Sequence, residues 1–472
     1  MLKPVRVALA AAALWAVAAP AFAYDPAPWI QDARQIRAAL GQRYANIDWL
    51  TVDRGLNLDT SFKAVESGLE KVSSEAEARA LLDRALAGLN DGHVRIDWTS
   101  VAPTTGSFRP ADGPPCANVS PQRQRPPVAS GLPGWTALEE GVGAREFPGG
   151  LVTIDGHTVG VVQIVLFMAD RPVCEAAAAG LKLPMDKPCD GGCSGRLDTA
   201  MYQELTDRFG ARLEAMKAAG AEVLMIDLTG NGGGREWAEV ALRMVTPIRV
   251  KSGPVRYVRS PQAASQLDAL AVDIENNVGE ERGAAKADLL RQAADLRARA
   301  AEARRTCDPA ADKACLLLID AGYGSGVWAS ADPVALADKA WGQSVFQPAK
   351  WAWREGVWSG PLMVLVDSRS ASASEEFAAV LQDNRAALIV GSPTLGAGCG
   401  HATDVGPLTL KNSGGRLFMP DCVRLRADGS NEIGGVEPDV LVGFRGSDGP
   451  ALKARRLATR LSDAVAKAVA GR

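Results

Sequence analysis

The sequence predicts an α/β fold with flanking helices, and two stretches carry that prediction. Glu222-Val-Leu-Met-Ile-Asp-Leu228 holds a nearly continuous apolar run, ended by Thr229-Gly-Asn-Gly-Gly-Gly234 and followed by helical spacing over 236–244. Pro361-Leu-Met-Val-Leu-Val366 is a second apolar run. It is followed by the small-residue cluster Ser370-Ala-Ser-Ala-Ser-Glu375 and a helical segment reaching Gln382. Apolar runs of strand length, each ended by a turn and followed by a helix, are the grammar of buried strands in an α/β sheet.

The other elements follow in chain order. Residues 1–23 begin with a basic end, run apolar from Val7 to Ala19 and close on Ala21-Phe22-Ala23, the pattern of a secretory signal peptide. The apolar stretch is too short to prefer spanning a bilayer, and no later run is long enough to do so. Residues 24–95 read as a helical subdomain, with apolar residues at helical spacing over Trp29–Leu40 and Ser73–Leu86. Residues 96–150 are rich in Pro, Gly and Ser and read as loops or a small cap. Val152–Ile154 and Thr158–Phe167 read as strands, 168–195 as an irregular cysteine-rich segment, and 198–218 as a helix. Residues 255–329 carry a helical hairpin over 261–306, rich in Ala, Leu, Arg, Asp and Glu, whose charges form a solvated face. The core therefore comprises 151–254 and 330–445, and 446–472 close the chain with a helix.

Composition narrows the function classes. The chain has 52 basic and 55 acidic residues. Loss of Lys3 and Arg6 with the signal peptide leaves the mature protein near −5, with no basic patch dense enough for nucleic acid. Export, to the periplasm or outside the cell, makes disulfides the natural use of the 8 cysteines. Cys307 with Cys315 and Cys399 with Cys422 are natural local pairs; Cys116, Cys174, Cys189 and Cys193 leave three pairings open. Cys189-x3-Cys193 has no histidine near it, so a zinc site is disfavoured and no metal or other cofactor is expected.

Ser372 is the candidate nucleophile. It lies where a strand ends and a helix begins, so backbone N–H groups of the first helical turn point at whatever it attacks. Ser370 and Ser374 beside it suit capping and packing. Gly230-Asn-Gly-Gly-Gly234 lacks the Lys-Ser/Thr of a phosphate loop and the spacing of a dinucleotide fingerprint, and suits an oxyanion donor better. A nucleophilic serine needs a base. The chain has 3 histidines. His93 lies in Leu89-Asn-Asp-Gly-His93, His157 in a hairpin-like turn, and His401 in Gly398-Cys-Gly-His401 after a glycine-rich loop.

Four segments in order resemble the tail-specific, C-terminal-processing serine peptidases. They are Leu89–His93, Leu224–Gly234, the block from Val364 through Gly396, and Gly435-Val-Glu-Pro-Asp-Val440. The resemblance implies a ClpP/crotonase-like sheet core and a peptide or unfolded-protein substrate. It implies Ser372 as nucleophile, with oxyanion donors in Gly232-Gly233 and at Ala373. Family members with a lysine base carry it in a Gly-Lys-Gly step followed by Gln. Here the step is Gly396-Ala397-Gly398, and His401 stands at the Gln position. Lys411 is the nearest lysine downstream. The tricorn-like, interphotoreceptor-retinoid-binding-protein-like branch instead uses an N-terminal histidine and a late glutamate, which map to His93 and Glu432. Glu432 would then hold the imidazole, with His401 as the alternative base and Glu437 and Asp439 as structural turn residues. Residues 97–150 are too short and proline-rich for the peptide-binding PDZ domain that many of these peptidases carry. The expected function is a secreted serine endopeptidase. The alternative is an inactive peptide- or ligand-binding homologue of the same fold. A homo-oligomer stays open.

Overall fold

A computed structural model of the chain describes residues 24–99, 113–279, 281–305, 316–403 and 405–471. The signal-peptide segment and the expected Cys307–Cys315 pair lie outside the described residues.

The described residues open with helices α1 (Ala27–Arg43), α2 (Leu58–Leu69) and α3 (Glu75–Ala87). Asn57 and Ser74 cap the second and third, their side chains accepting the Thr60 and Glu77 N–H groups. Their apolar faces meet in one cluster around Ile36, Leu40, Phe62 and Leu82. Strand β1 (Arg95–Asp97) then leads out of the helical region.

Among the described residues the central sheet has seven strands. In chain order they are β2 (Thr136–Ala137), β3 (Gly149–Ile154), β4 (His157–Gln163), β5 (Val223–Asp227), β8 (Leu362–Val366), β9 (Leu388–Gly391) and β13 (Val440–Leu441). From β4 through β5, β8 and β9 to β13 all neighbours are parallel, and β3 and β2 add an antiparallel edge. Both faces are covered, which explains the continuous apolar runs. Leu224 and Ile226 of β5, with Val364 of β8, pack toward helices α4 (Arg171–Gly180), α5 (Gly191–Ala218), α6 (Ala238–Met244) and α11 (Ala373–Asp383). Val223, Met225, Met363 and Leu365 pack on the opposite face against the closing helix α12 (Pro450–Ala470).

Segment 168–195, expected to be irregular, forms α4 and the start of α5. Asp170 caps α4 by accepting the Val173 N–H, Pro172 fits its first turn, and Asp190 caps α5 by accepting the Cys193 N–H. The glycines and cysteines that suggested loops are held in place by packing and by two disulfides, Cys116–Cys174 and Cys189–Cys193. The second joins the two thiols of the disfavoured half zinc site. Segment 113–148 contains little regular structure beyond β2 and a 3₁₀ turn at Val128–Gly131.

Strands β6 (Pro254–Val258) and β7 (Leu318–Tyr323) pair antiparallel, and between them lie α7 (Pro261–Asn277) and α8 (Gly283–Ala303). These two helices pack through Leu267, Ala271, Ile274, Leu289, Ala293 and Leu296. Two single turns follow, α9 (Pro333–Leu336) and α10 (Gly342–Val345). Three strands complete the fold, β10 (Leu408–Thr409), β11 (Arg416–Phe418) and β12 (Cys422–Arg424). β11 pairs with β1 and β12 with β6. This ties the helical subdomain to the chain just beyond the second glycine-rich loop.

Candidate active site

The serine turn lies at the C-terminal ends of β5 and β8, where loops of a parallel sheet converge. Ser372 has φ +56° and ψ −117°, an uncommon conformation for a residue with a Cβ. Its neighbours hold it there. The Ser370 hydroxyl donates to Leu228 O at 2.8 Å, the Ser374 hydroxyl donates to Asn231 O at 2.9 Å, and the Ala371 N–H donates to Asn231 O at 3.0 Å. The flanking serines thus staple the Ser372 turn to the glycine turn. A Cβ on Gly233 would lie 2.8 Å from both Ala371 O and Ser372 Cβ, and its φ is +106°, so only glycine fits.

The glycine turn does not offer all its donors. The Gly233 N–H donates to Asn231 Oδ1 at 2.9 Å. The N–H groups of Gly232 and Ala373 have no acceptor among the described residues.

Glu375 organises the far wall. Its buried carboxylate accepts from the Ser372 N–H (2.8 Å), the Thr394 hydroxyl (2.7 Å), the Gly396 N–H (2.6 Å), the Ala397 N–H (2.9 Å) and the Gly398 N–H (3.2 Å). The bond to Ser372 is the return half of a capping box. The others clamp the second glycine-rich loop against the serine.

His93 meets this loop from the helical subdomain. Its Nδ1 lies 3.0 Å from Ala397 O. A carbonyl can only accept, so Nδ1 carries the proton and Nε2 is the basic nitrogen. Burial, helped by Arg424 and Arg95, holds the imidazole below its ordinary pKa against the pull of that carbonyl. Nε2 rests over Gly400, where a Cβ would fall 2.8 Å away. Ala397 is therefore held at both ends, its N–H on the Glu375 carboxylate that also accepts the Ser372 N–H, and its carbonyl on His93 Nδ1. Among the described residues no hydrogen bond joins Ser372 Oγ to His93, His401 or Glu432.

Glu432 does not meet the imidazole. Both its oxygens accept from Arg424, at 2.7 Å from Nε and 2.5 Å from a terminal nitrogen. Arg424 also donates to Ser372 O at 3.2 Å and lies 3.2 Å from Glu376. Burial works against its charge, but Glu376 and Glu432 more than offset this and raise its pKa. Glu376 is itself held well above the usual carboxylate range, first by burial and then by Glu239 and Glu432. The ring of His401 stands edge-on to His93 with centroids 5.8 Å apart. A cavity of about 510 Å³ opens on that side, lined by His401, Phe418, Leu417, Arg43 and Arg305 among others. The Cys399–Cys422 disulfide links the loop to β12.

The remaining sequence candidates stand elsewhere. Lys411 is exposed, and its backbone N–H donates to Gln35. His157 sits at the β3–β4 turn beside Glu222, at the opposite end of the sheet. Asp439 accepts from Gln382 and from the Ile389 N–H, a turn role.

The model of peptidase family S41 matches residues 196–442. The chain belongs to peptidase family S41. Among solved structures it is similar to mature CPAF complexed with lactacystin, with a TM-score of 0.58 and 16% identity over 95% of this chain and 99% of that one. It is also similar to mature CPAF, with a TM-score of 0.55 and 16% identity over 94% and 98% of the two chains. At such identity the likeness is one of fold, and it extends over the helical subdomain as well as the S41 core.

Three residues of this S41 site escaped the sequence reading. Glu375 had a signal, since Ser372-Ala-Ser-Glu375 has capping-box spacing. Asp91, two residues before His93, accepts the His93 N–H at 2.9 Å. It was visible only as part of Asp-Gly-His. Arg424 had none, since nothing near it in sequence distinguishes it from a surface arginine.

Proposed function

We propose that this S41 serine peptidase is an exported endopeptidase that works through an acyl-enzyme on Ser372. The observation that carries the reading is the Ser372 turn. A strained serine begins α11 beside two backbone N–H groups, of Gly232 and Ala373, that have no acceptor among the described residues. In the proposed reaction His93 Nε2 takes the Ser372 hydroxyl proton as Oγ attacks a peptide carbonyl. The developing oxyanion is received by the Gly232 and Ala373 N–H groups. The imidazolium then protonates the leaving amine, and water attacks the ester by the reverse route. Each oxyanion donor would contribute ~10²–10³ in turnover. Export follows from residues 1–23, with Ala21-Phe22-Ala23 as the processing site and the periplasm or cell exterior as destination.

The second reading is a binding protein that has lost catalysis. Ala397 in the place of the family's lysine, and His93 Nε2 lying over Gly400, favour it. A fluorophosphonate probe followed by digestion separates the two. Labelling confined to Ser372, with Ser372→Ala lowering the rate on fluorescein-casein by ~10⁴-fold or more, supports the acyl-enzyme. Labelling elsewhere, or an active Ser372→Ala, removes it.

The state of His93 sets a pH dependence. Catalysis needs neutral imidazole, and its pKa lies below the ordinary value of about 6.5. The acid limb of kcat/KM is therefore expected below pH ~6.5, with full activity above it. A limb clearly above that value would argue against His93 as the base. So would activity lost in His401→Ala and kept in His93→Ala.

A further inference from the structure

We infer that Asp91, rather than Glu432, is the acid that positions His93 and steadies its imidazolium. This rests on the reading of His93 as the base for Ser372.

Asp91 sits between α3 and β1 with its side chain fully buried. Oδ1 accepts the His93 N–H at 2.9 Å and lies 3.8 Å from His93 Nδ1. Oδ2 accepts from the Tyr44 hydroxyl at 2.9 Å and from Asn46 Nδ2 at 3.2 Å. Asn46 Oδ1 in turn accepts from Asn431 Nδ2 at 2.9 Å. The carboxylate is anchored through both oxygens and cannot swing away from the ring.

The geometry divides the work that one carboxylate does in a Ser-His-Asp arrangement. The Ala397 carbonyl accepts the Nδ1–H hydrogen bond and sets the tautomer. Asp91 supplies the negative charge. When Nε2 receives the Ser372 proton, half of the imidazolium charge resides at Nδ1, within ion-pair range of Asp91 Oδ1. Coulomb attraction at that distance is several times stronger in a buried site than in water.

The other charged groups around the ring make that anion necessary. Arg95 on β1 and Arg424 on β12 both disfavour an imidazolium at 93. His401, on the second glycine-rich loop, faces both His93 and Asp91 and would repel the imidazolium if it were charged. Tyr44 is neutral. Glu432 spends both oxygens on Arg424. Among the described residues Asp91 is the one carboxylate within ion-pair distance of His93.

The test compares Asp91→Asn with Glu432→Gln in the mature protein. Asn keeps the shape and removes the charge. Asp91→Asn is expected to lower kcat/KM on fluorescein-casein by about 10²-fold and to move the acid limb to lower pH, because the imidazolium loses its anion. Asp91→Glu should recover part of the loss. The chain has only 3 histidines, so the His93 ring titration can be followed directly by NMR. It should fall in Asp91→Asn and stay in place in Glu432→Gln. The inference is overturned if Asp91→Asn keeps the wild-type rate and titration. A fall of the His93 titration in Glu432→Gln of the size assigned to Asp91 also overturns it. If Asp91→Asn fails to fold by near-ultraviolet dichroism, the Glu432→Gln titration alone decides, by the same criterion. A fully active His93→Ala would instead overturn the base reading itself. An inactive His93→Ala beside a wild-type-like Asp91→Asn overturns only the role given to Asp91.

Discussion

Arg424→Met is expected to cost about 3–5 kcal/mol of stability at neutral pH, because it strands Glu432 and Glu376 in a buried site without their cation. Arg424 is 7% exposed, Glu432 1% and Glu376 6%. It also removes the donor to the Ser372 carbonyl, so what remains folded should be impaired. The sign of the pH effect follows from the carboxylates. Without Arg424 the folded-state pKa of Glu376, already raised by burial, rises further above the unfolded range near 4.3. The protein with the substitution then binds protons on folding. Its deficit against wild type should grow as pH rises from about 4.3 through the raised value of Glu376, and shrink as pH falls back toward 4.3. Chemical denaturation of both proteins at several pH values measures this. A deficit independent of pH would mean that the loss is packing, not charge.

Glu375→Ala should be comparably severe, by a different route. Five donors lose their acceptor at once: the Ser372, Gly396, Ala397 and Gly398 N–H groups and the Thr394 hydroxyl. Buried donors left unmade cost about 1–3 kcal/mol each when they cannot reach water, so a total of several kcal/mol is expected even after relaxation. The catalytic consequence is more specific. Glu375 sets the height of Ala397, and the Ala397 carbonyl orients His93. Residual Glu375→Ala protein that still melts cooperatively should therefore show a loss of fluorophosphonate labelling at Ser372 of ~10²-fold or more. Labelling at the wild-type rate would show that the loop holds its position without this carboxylate.

The fold was legible where one stretch of chain suffices to specify an element. The buried strands announced themselves because both sheet faces are covered, leaving no polar alternation to confuse them. Helix α4 was missed because Pro172, Cys174 and the glycines beyond it punctuate the sequence like a loop. Its cap at Asp170 and its burial against the sheet outweigh those local signals. At the site, Ser372 was legible from its strand–turn–helix context. The glycine turn was legible in kind, although its Asn231 side chain occupies the Gly233 donor that the motif alone leaves available.

The partners of His93 were not legible in the same way. By itself the sequence determined where a serine begins a helix, which glycine-rich turns accompany it, and that Ala397 stands in the step where family members with a lysine base carry it. Each of those rests on residues within a few positions of one another, where backbone geometry is set locally. Only the tertiary structure decided what His93 touches. Its tautomer is set by a carbonyl 304 residues downstream, and Glu432 is captured by Arg424 instead. A hydrogen bond selects its partner over a few tenths of an ångström. Such selection depends on how separate elements pack, a relation that residue spacing does not carry.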